Sequence, residues 1–141
     1  MVVIIDYGMG NLKSVYNALN KIGCRCKVSS EVRDIRTASG LILPGVGAFK
    51  DCMDNLTKSN LDQILKEEVE KGKPLLGICL GMQVLFEKGY EGEEREGLGL
   101  LKGEMNFLPF LLCKKVKNIK VYYKIIDNKL NKFFGVVKYE T

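Results

Sequence analysis

The segment around position 79 constrains the fold more than any other part of this sequence. An apolar run at residues 75–78 leads into Gly-Ile-Cys-Leu-Gly at residues 77–81, and the residues from 80 to 88 predict a helix ended by Gly89. Glycines on both sides of Cys79 permit a turn that is too tight for larger side chains. A strand, a tight turn and a helix with a nucleophile in the turn are typical of the nucleophile elbow of α/β enzymes, here with cysteine in place of serine.

The position of Cys79 predicts a reactive thiol. The turn holds this side chain at the carboxyl edge of the sheet, where open α/β sheets bind their ligands. A helix amino terminus at that point stabilises a thiolate and lowers the thiol pKa. A lone cysteine at a strand end is more often a small core residue. The two flanking glycines favour the nucleophile instead.

The rest of the first 104 residues alternates short apolar runs with helical patterns. Strands are predicted at residues 2–5, 25–29, 41–43, 75–78 and 98–101, helices at 12–22, 48–56, 61–71 and 80–88, and a charged surface loop at 91–96. Such alternation predicts an α/β domain built on a doubly wound, mostly parallel sheet.

Two glycine-containing turns follow strands at the same edge of this sheet. Residues 44–47, Pro-Gly-Val-Gly, come after the strand at 41–43, so their N–H groups and that of Leu80 are placed to donate to a developing oxyanion. An ordinary strand-to-helix turn is the alternative interpretation. Residues 8–10, Gly-Met-Gly, predict a simple turn, because a dinucleotide-binding loop needs a third glycine where Lys13 stands.

The last 37 residues differ in composition from the first 104. The first part has 14 basic and 15 acidic residues and a net charge of −1, whereas residues 105–141 have 8 lysines and 2 acids and a net charge of +6. No base-reading module accompanies this basic tail, so nucleic-acid binding is not favoured. Residues 120–126 predict a strand, and residues 129–137 a strand or a helix.

The change in composition at Glu104 suggests a hypothesis about domain organisation. We interpret residues 1–104 as one α/β domain and residues 105–141 as an atypical remainder of it, produced by a frameshift or truncation. Enrichment in Lys, Asn, Ile, Phe and Tyr is what AT-rich DNA read out of frame yields. The sheet is then expected to be incomplete at its carboxyl end.

Composition excludes several classes of protein. The five cysteines lack metal-type spacing and the chain has no histidine to help bind zinc, so a zinc site is not expected. No secretory signal or membrane-length apolar stretch is visible, and free thiols fit a reducing cytoplasm.

Four stretches resemble class I glutamine amidotransferases, and within them the glutaminase subunits of imidazole glycerol phosphate synthases. They read Asp-Tyr-Gly-Met-Gly-Asn-Leu at 6–12, Leu-Pro-Gly-Val-Gly-Ala-Phe at 43–49, Gly-Ile-Cys-Leu-Gly-Met-Gln at 77–83 and Gly-Leu-Gly-Leu at 97–100. The resemblance covers residues 1–104.

The resemblance implies a role for individual residues of the reaction centre. Cys79 attacks the carboxamide carbon of glutamine, and Gln83 helps to position the substrate. The oxyanion is held by the N–H groups of Gly45, Val46, Gly47 and Leu80. Ammonia leaves, and water hydrolyses the glutamyl thioester, so the resemblance implies no metal or organic cofactor.

The resemblance also implies a partner. In the family, ammonia passes to a (β/α)8-barrel cyclase subunit of histidine biosynthesis, with which the glutaminase forms a heterodimer. Gly8 and Asn11 are expected at or near that interface.

One element of the family pattern is missing. The family uses a histidine base oriented by a glutamate, in a late His-Pro-Glu setting, whereas residues 134–140 read Phe-Gly-Val-Val-Lys-Tyr-Glu. Without that base we expect turnover to fall on the order of a thousandfold or more.

Two alternative functions stay open. A non-catalytic remnant that only binds the cyclase partner accounts for the missing histidine. A thiol-redox or chaperone-like protein needs Cys79 to oxidise selectively over the other four cysteines. It does not explain Gln83 or the 6–12 stretch.

Overall fold

The computed structural model describes residues 1–91, 93–105, 119–124 and 134–139, the last two ranges as backbone. Its elements are, in chain order, β1 Val2–Ile5, α1 Leu12–Lys21, β2 Cys26–Ser29, α2 Val32–Thr37, β3 Gly40–Leu43, α3 Phe49–Lys58, α4 Leu61–Glu70, β4 Leu75–Ile78, α5 Leu80–Gln83, β5 Phe86–Gly89, β6 Arg95–Glu96, β7 Leu101–Met105, β8 Ile119–Lys124 and β9 Phe134–Tyr139.

The main sheet has the strand order β2-β1-β3-β4-β9-β8. Strands β2, β1, β3 and β4 are parallel, and Ile4 lies opposite Val28 of β2 and Ile42 of β3. Strand β9 pairs with β4 in the antiparallel sense, with Val136 opposite Ile78, and β8 pairs antiparallel with β9. This arrangement confirms the predicted doubly wound, mostly parallel α/β sheet. It also makes β4 an interior strand.

The two faces of the sheet carry different helices. Val3, Ile5 and Leu43 point into the main core, which residues of α2, α3 and α4 complete. Ile4 is fully buried on the other face, where α1 packs on β1 and β2. The chain changes direction after β2, and right-handed crossovers therefore place α1 opposite the other helices. The strand order reverses between β1 and β3, and doubly wound sheets bind ligands beyond the carboxyl ends of the strands at such a point.

The predicted helix at residues 80–88 is wrong beyond Gln83. Helix α5 ends there, and Phe86–Gly89 forms β5 instead. The Val84 carbonyl accepts from the Leu98 N–H at 2.7 Å, and the Leu85 carbonyl accepts from the Leu101 N–H at 2.9 Å. The carbonyls that a longer helix would use are thus paired with the returning chain. The dense apolar run fits both patterns, so periodicity does not distinguish them.

Two further predictions need correction, and one helix was missed. The strand predicted at 98–101 lies at Leu101–Met105, where β7 pairs with β5. The predicted loop at 91–96 ends in the short strand β6, which also pairs with β5. Helix α2 was not predicted, because its six residues contribute only Ile35 to the core and show little periodicity.

The two strands of the basic tail agree with the sequence patterns. Strand β8 overlaps the strand predicted at 120–126, and β9 shows that the pattern at 129–137 contains a strand. Residues 125–133 lie outside the described part of the chain. Since β9 pairs with β4, the tail contributes to the same sheet as the first 104 residues.

Candidate active site

Cys79 lies in a strained turn between β4 and α5. Its backbone angles are φ 54° and ψ −117°, and Asn60 is the other non-glycine residue with positive φ in the described part of the chain. A cysteine in this region costs on the order of 1–3 kcal/mol and persists only where the surrounding structure imposes it. The turn predicted from the glycine pattern is therefore present, at the carboxyl end of an interior strand.

The glycines on both sides of Cys79 are required by packing. A Cβ on Gly77 would lie 2.7 Å from the Gly81 carbonyl oxygen and 2.7 Å from the Met82 Cα. A Cβ on Gly81 would overlap the carbonyl oxygen of Leu43 on β3. The elbow is thus folded tightly on itself and against the neighbouring strand, as the spacing predicts.

The prediction that the helix amino terminus lowers the pKa of Cys79 is wrong. Its side chain is half-buried, and burial raises the pKa of the thiol. Helix α5 has only four residues, Leu80–Gln83, so few aligned peptide dipoles act at its amino terminus. No charged side chain of the described residues offsets the cost of burying a thiolate.

The structure brings the 44–47 turn directly against the elbow. The Leu80 N–H donates to the Gly45 carbonyl oxygen at 3.3 Å. Val46 is 57% exposed, and Gly47 adopts φ 104°, where an added Cβ would lie 3.3 Å from Met9 Cε. The predicted oxyanion donors are therefore neighbours in space. The N–H of Leu80, however, is bonded to the turn itself.

Three segments of the chain meet at Gly45. A Cβ there would lie 2.6 Å from Tyr7 Oη, 2.9 Å from the Gly81 nitrogen and 3.0 Å from the Leu80 Cβ. Only glycine fits, because all three neighbours are backbone atoms or atoms of buried side chains. The turn at 44–47 is consequently held between the loop after β1 and the elbow after β4.

The remaining predicted residues have simple local geometries. Gln83 is half-buried at the end of α5, and its N–H donates to the Cys79 carbonyl at 3.2 Å. Gly8 is exposed with φ 88°, and its N–H donates to Asp6 Oδ1. Asn11 is exposed, and its Oδ1 accepts from the Ser14 N–H at 3.2 Å, so this side chain caps α1.

Tyr7 also contacts the 44–47 turn, although the sequence patterns predicted no role for it. It is 6% exposed, its hydroxyl donates to the Pro44 carbonyl at 2.6 Å, and Cys52 Sγ lies 3.2 Å from the same oxygen. Burial, and next the neighbouring Cys52, raises the pKa of Tyr7 well above its ordinary value. The available signal was a tyrosine two residues after a buried strand, since the hydroxyl of a buried tyrosine needs a hydrogen-bond partner.

No cluster of three or more His, Cys, Asp or Glu residues in the described part of the chain is arranged to hold a metal ion. Within the same part of the chain, no helix combines the length and apolar character that a membrane span needs.

The sequence model of the family described as "Glutamine amidotransferase class-I" matches residues 3–136 of the chain, which extends beyond Glu104. A solved structure described as "Crystal structure of glutamine amidotransferase" aligns with a TM-score of 0.66 and 20% identity, over 96% of this chain and 70% of that one. This structural likeness concerns the fold.

Three relatives carry the name "Imidazole glycerol phosphate synthase subunit HisH". The protein of Lactococcus lactis is 59% identical over 118 residues, which are 84% of this chain and 57% of the relative. That of Aquifex aeolicus is 56% identical over 108 residues, 76% of this chain and 52% of the relative. That of Wolinella succinogenes is 46% identical over 138 residues, 98% of this chain and 64% of the relative.

The chain thus spans between 52% and 64% of the length of these relatives. The family match nevertheless covers nearly the whole chain, and it includes the elbow at Cys79 and the turn at 44–47. On these grounds the chain belongs to the glutamine amidotransferase class-I family.

Proposed function

We propose that this chain is the cysteine-dependent glutaminase subunit of an imidazole glycerol phosphate synthase, and that it supplies ammonia from glutamine to a cyclase partner. The strained elbow of Cys79, packed against the 44–47 turn, carries the proposal. Membership of the family and the names of the three relatives support it.

The proposed reaction starts at the Cys79 sulfur. A thiolate attacks the carboxamide carbon of glutamine, and the carbonyl oxygen becomes the oxyanion of a tetrahedral intermediate. The C–N bond then breaks, and the nitrogen leaves as ammonia after taking up a proton. Water hydrolyses the remaining thioester to glutamate and restores the thiol. Gln83, one turn of helix beyond Cys79, is assigned to substrate positioning.

The oxyanion is assigned to the N–H groups of Leu80 and of Gly45, Val46 and Gly47. Such donors act when they point at the developing charge in a site that excludes water. Because the Leu80 N–H donates to the Gly45 carbonyl at 3.3 Å, the peptide between Gly45 and Val46 has to rotate before this donor serves the oxyanion. The exposure of Val46 leaves room for that movement.

Proton transfer is the weakest step for this chain. The chain contains no histidine, and burial raises the pKa of the Cys79 thiol. A base therefore has to be another kind of side chain or come from a second polypeptide. Removal of a triad member lowers turnover about a thousandfold or more, and we expect a loss of that order here.

The partner is assigned to the loop that follows β1. Gly8 and Asn11 are exposed in this loop, and Gly10 between them lies next to Pro44 and Gly45 of the 44–47 turn. We propose that a (β/α)8-barrel cyclase binds this loop and receives the ammonia. Glutamine is the only small substrate that this proposal requires, and no metal or organic cofactor enters the reaction.

The test is glutamate release from glutamine by the purified chain, mixed with a cyclase partner and the ligand of that partner. The control is Cys79→Ala, which removes the sulfur. Release that disappears in the control supports the proposal. If the folded chain binds the partner but releases no more glutamate than Cys79→Ala does, the glutaminase proposal is wrong and the chain is a non-catalytic binding subunit. The missing histidine is what favours that second candidate.

A further inference from the structure

We infer that Tyr7 is a positioning residue of the glutaminase site, whose hydroxyl fixes the Pro44–Gly45 peptide and thereby sets the position of the 44–47 turn against the Cys79 elbow. This inference rests on the proposed function, because it concerns the turn to which the oxyanion is assigned.

The direction of each hydrogen bond at Tyr7 follows from chemistry. The Pro44 carbonyl can only accept, so the single phenolic hydrogen is used at that 2.6 Å contact. Cys52 Sγ, 3.2 Å from the same oxygen, therefore donates its S–H to Tyr7. Burial raises the pKa of Cys52 to about 11 and that of Tyr7 further, which keeps both groups protonated donors at neutral pH. A chain of donors thus runs from Cys52 on α3 to Pro44.

The Pro44 carbonyl controls the first donor of the turn. A peptide group is planar, so the bond to the Pro44 oxygen also fixes the direction of the Gly45 N–H. The carbonyl of the next peptide, that of Gly45, is bonded to the Leu80 N–H instead. Two consecutive peptides are thus held by two different segments. When the Gly45–Val46 peptide rotates, the hydrogen bond from Tyr7 keeps the Pro44–Gly45 peptide in place.

Packing strengthens the link between the loop and the turn. Tyr7 Oη lies where a Gly45 Cβ would stand, at 2.6 Å, and a Cβ on Gly10 would lie 3.2 Å from the Pro44 Cβ. The loop after β1 therefore touches the turn at two points. Gly8 and Asn11 lie in this same loop. A partner bound to them would therefore lie within a few residues of the hydrogen bond from Tyr7 to Pro44.

A tyrosine that merely fills the core would behave differently from a positioning residue. Its ring would matter and its hydroxyl would not affect chemistry at Cys79. Tyr7→Phe keeps the ring and removes the donor to Pro44, so it separates the two roles. The readout has to depend on the oxyanion turn and not on turnover, since this chain lacks the histidine base.

Two reagents provide that readout at Cys79. A chloroketone analogue of glutamine first adds its ketone carbon to the sulfur, giving a tetrahedral oxyanion, before the sulfur displaces chloride from the neighbouring carbon. With iodoacetamide the thiolate sulfur attacks the methylene carbon and displaces iodide in one step, so no oxyanion forms, and the rate depends on the thiolate fraction and on the exposure of the sulfur. Labelling of Cys79 is followed separately from the other cysteines by peptide mass spectrometry.

The expected result is selective. Tyr7→Phe lowers the rate at which the chloroketone labels Cys79 about tenfold or more, because misplaced donors stabilise the tetrahedral oxyanion less well. The rate of labelling by iodoacetamide changes by less than about twofold. Equal slowing of both reagents, or slowing of neither, in a folded variant overturns the inference and leaves the proposed function standing. If glutamine does not protect the unmodified chain from the chloroketone, the proposed function fails and the inference fails with it.

A second pair of variants covers the case in which Tyr7→Phe does not fold. Cys52→Ser keeps a donor to the Tyr7 oxygen, and Cys52→Ala removes it. We expect Cys52→Ser to react with the chloroketone like the unmodified chain and Cys52→Ala to react about threefold more slowly, because a chain of hydrogen bonds weakens when its first donor is lost. Equal rates for the two variants overturn the inference.

Discussion

The close approach of the elbow to β3 makes a quantitative prediction for Gly81→Ala. The added Cβ would overlap the Leu43 carbonyl oxygen. Because that oxygen is part of the backbone of a central strand, neither side can yield without moving the sheet or the elbow. Overpacking of this kind costs typically 1–3 kcal/mol and more where backbone must shift, so we expect about 3 kcal/mol. For a chain of 141 residues this corresponds to a melting temperature lower by about 10 °C.

The matched control is Gly40→Ala. Gly40 begins β3 with ordinary φ, and a Cβ there would lie 3.7 Å from the Pro74 carbonyl oxygen, an ordinary contact. We expect its stability to change by less than about 0.5 kcal/mol. Both variants are compared by thermal unfolding followed with circular dichroism. If Gly81→Ala melts within about 3 °C of Gly40→Ala, the packing explanation for the second glycine of the elbow is refuted.

Three further predictions follow from single sites. Cys79→Gly should be about 1 kcal/mol more stable in urea than Cys79→Ala, because only glycine relieves the strain at φ 54°; equal stability would mean that the turn is not strained. The alkylation of Cys79 by iodoacetamide should reach half its maximal rate at a higher pH than that of a thiol in an unfolded peptide, because burial raises its pKa and only the thiolate reacts; a lower pH would restore the helix-terminus prediction. Lys73→Met should lower the free energy of unfolding in urea by about 3 kcal/mol. The Lys73 Nζ donates to the Ile35 carbonyl at 2.6 Å and forms an ion pair with the nearly buried Glu68 at 2.8 Å. Lys71 also pairs with Glu68 but is 63% exposed, so Lys71→Met should lower the free energy of unfolding by less than about 1 kcal/mol. Equal losses of stability in the two variants would contradict this explanation.

The elbow shows what a local pattern can predict. The run at 75–78 and the glycines at 77 and 81 predicted a strand and a tight turn with Cys79 inside it, and the structure has both. The constraints act within a few residues of each other. Adjacent positions are close in space whatever the rest of the chain does, so sequence was sufficient.

The helix after the elbow shows where such reasoning stops. Residues 84–86 are apolar enough for a helix or a buried strand, and their carbonyls pair with residues 98–101 of the returning chain. That pairing is set by where the later segment lies. The same limit applies to the pKa of Cys79. Whether that pKa is raised or lowered depends on how deeply the sheet buries the thiol and on the length of α5.

The sequence by itself determined the class of fold, the position of Cys79 at the end of a strand and the neighbouring turn at 44–47. Those features depend on residue type and on spacing along a short stretch of chain. Only the tertiary structure decided that Leu80 donates to Gly45 and that Tyr7 donates to Pro44, across 37 positions. A hydrogen bond between distant residues exists only after the strands that carry them are placed side by side, and no local pattern of residues encodes that distance.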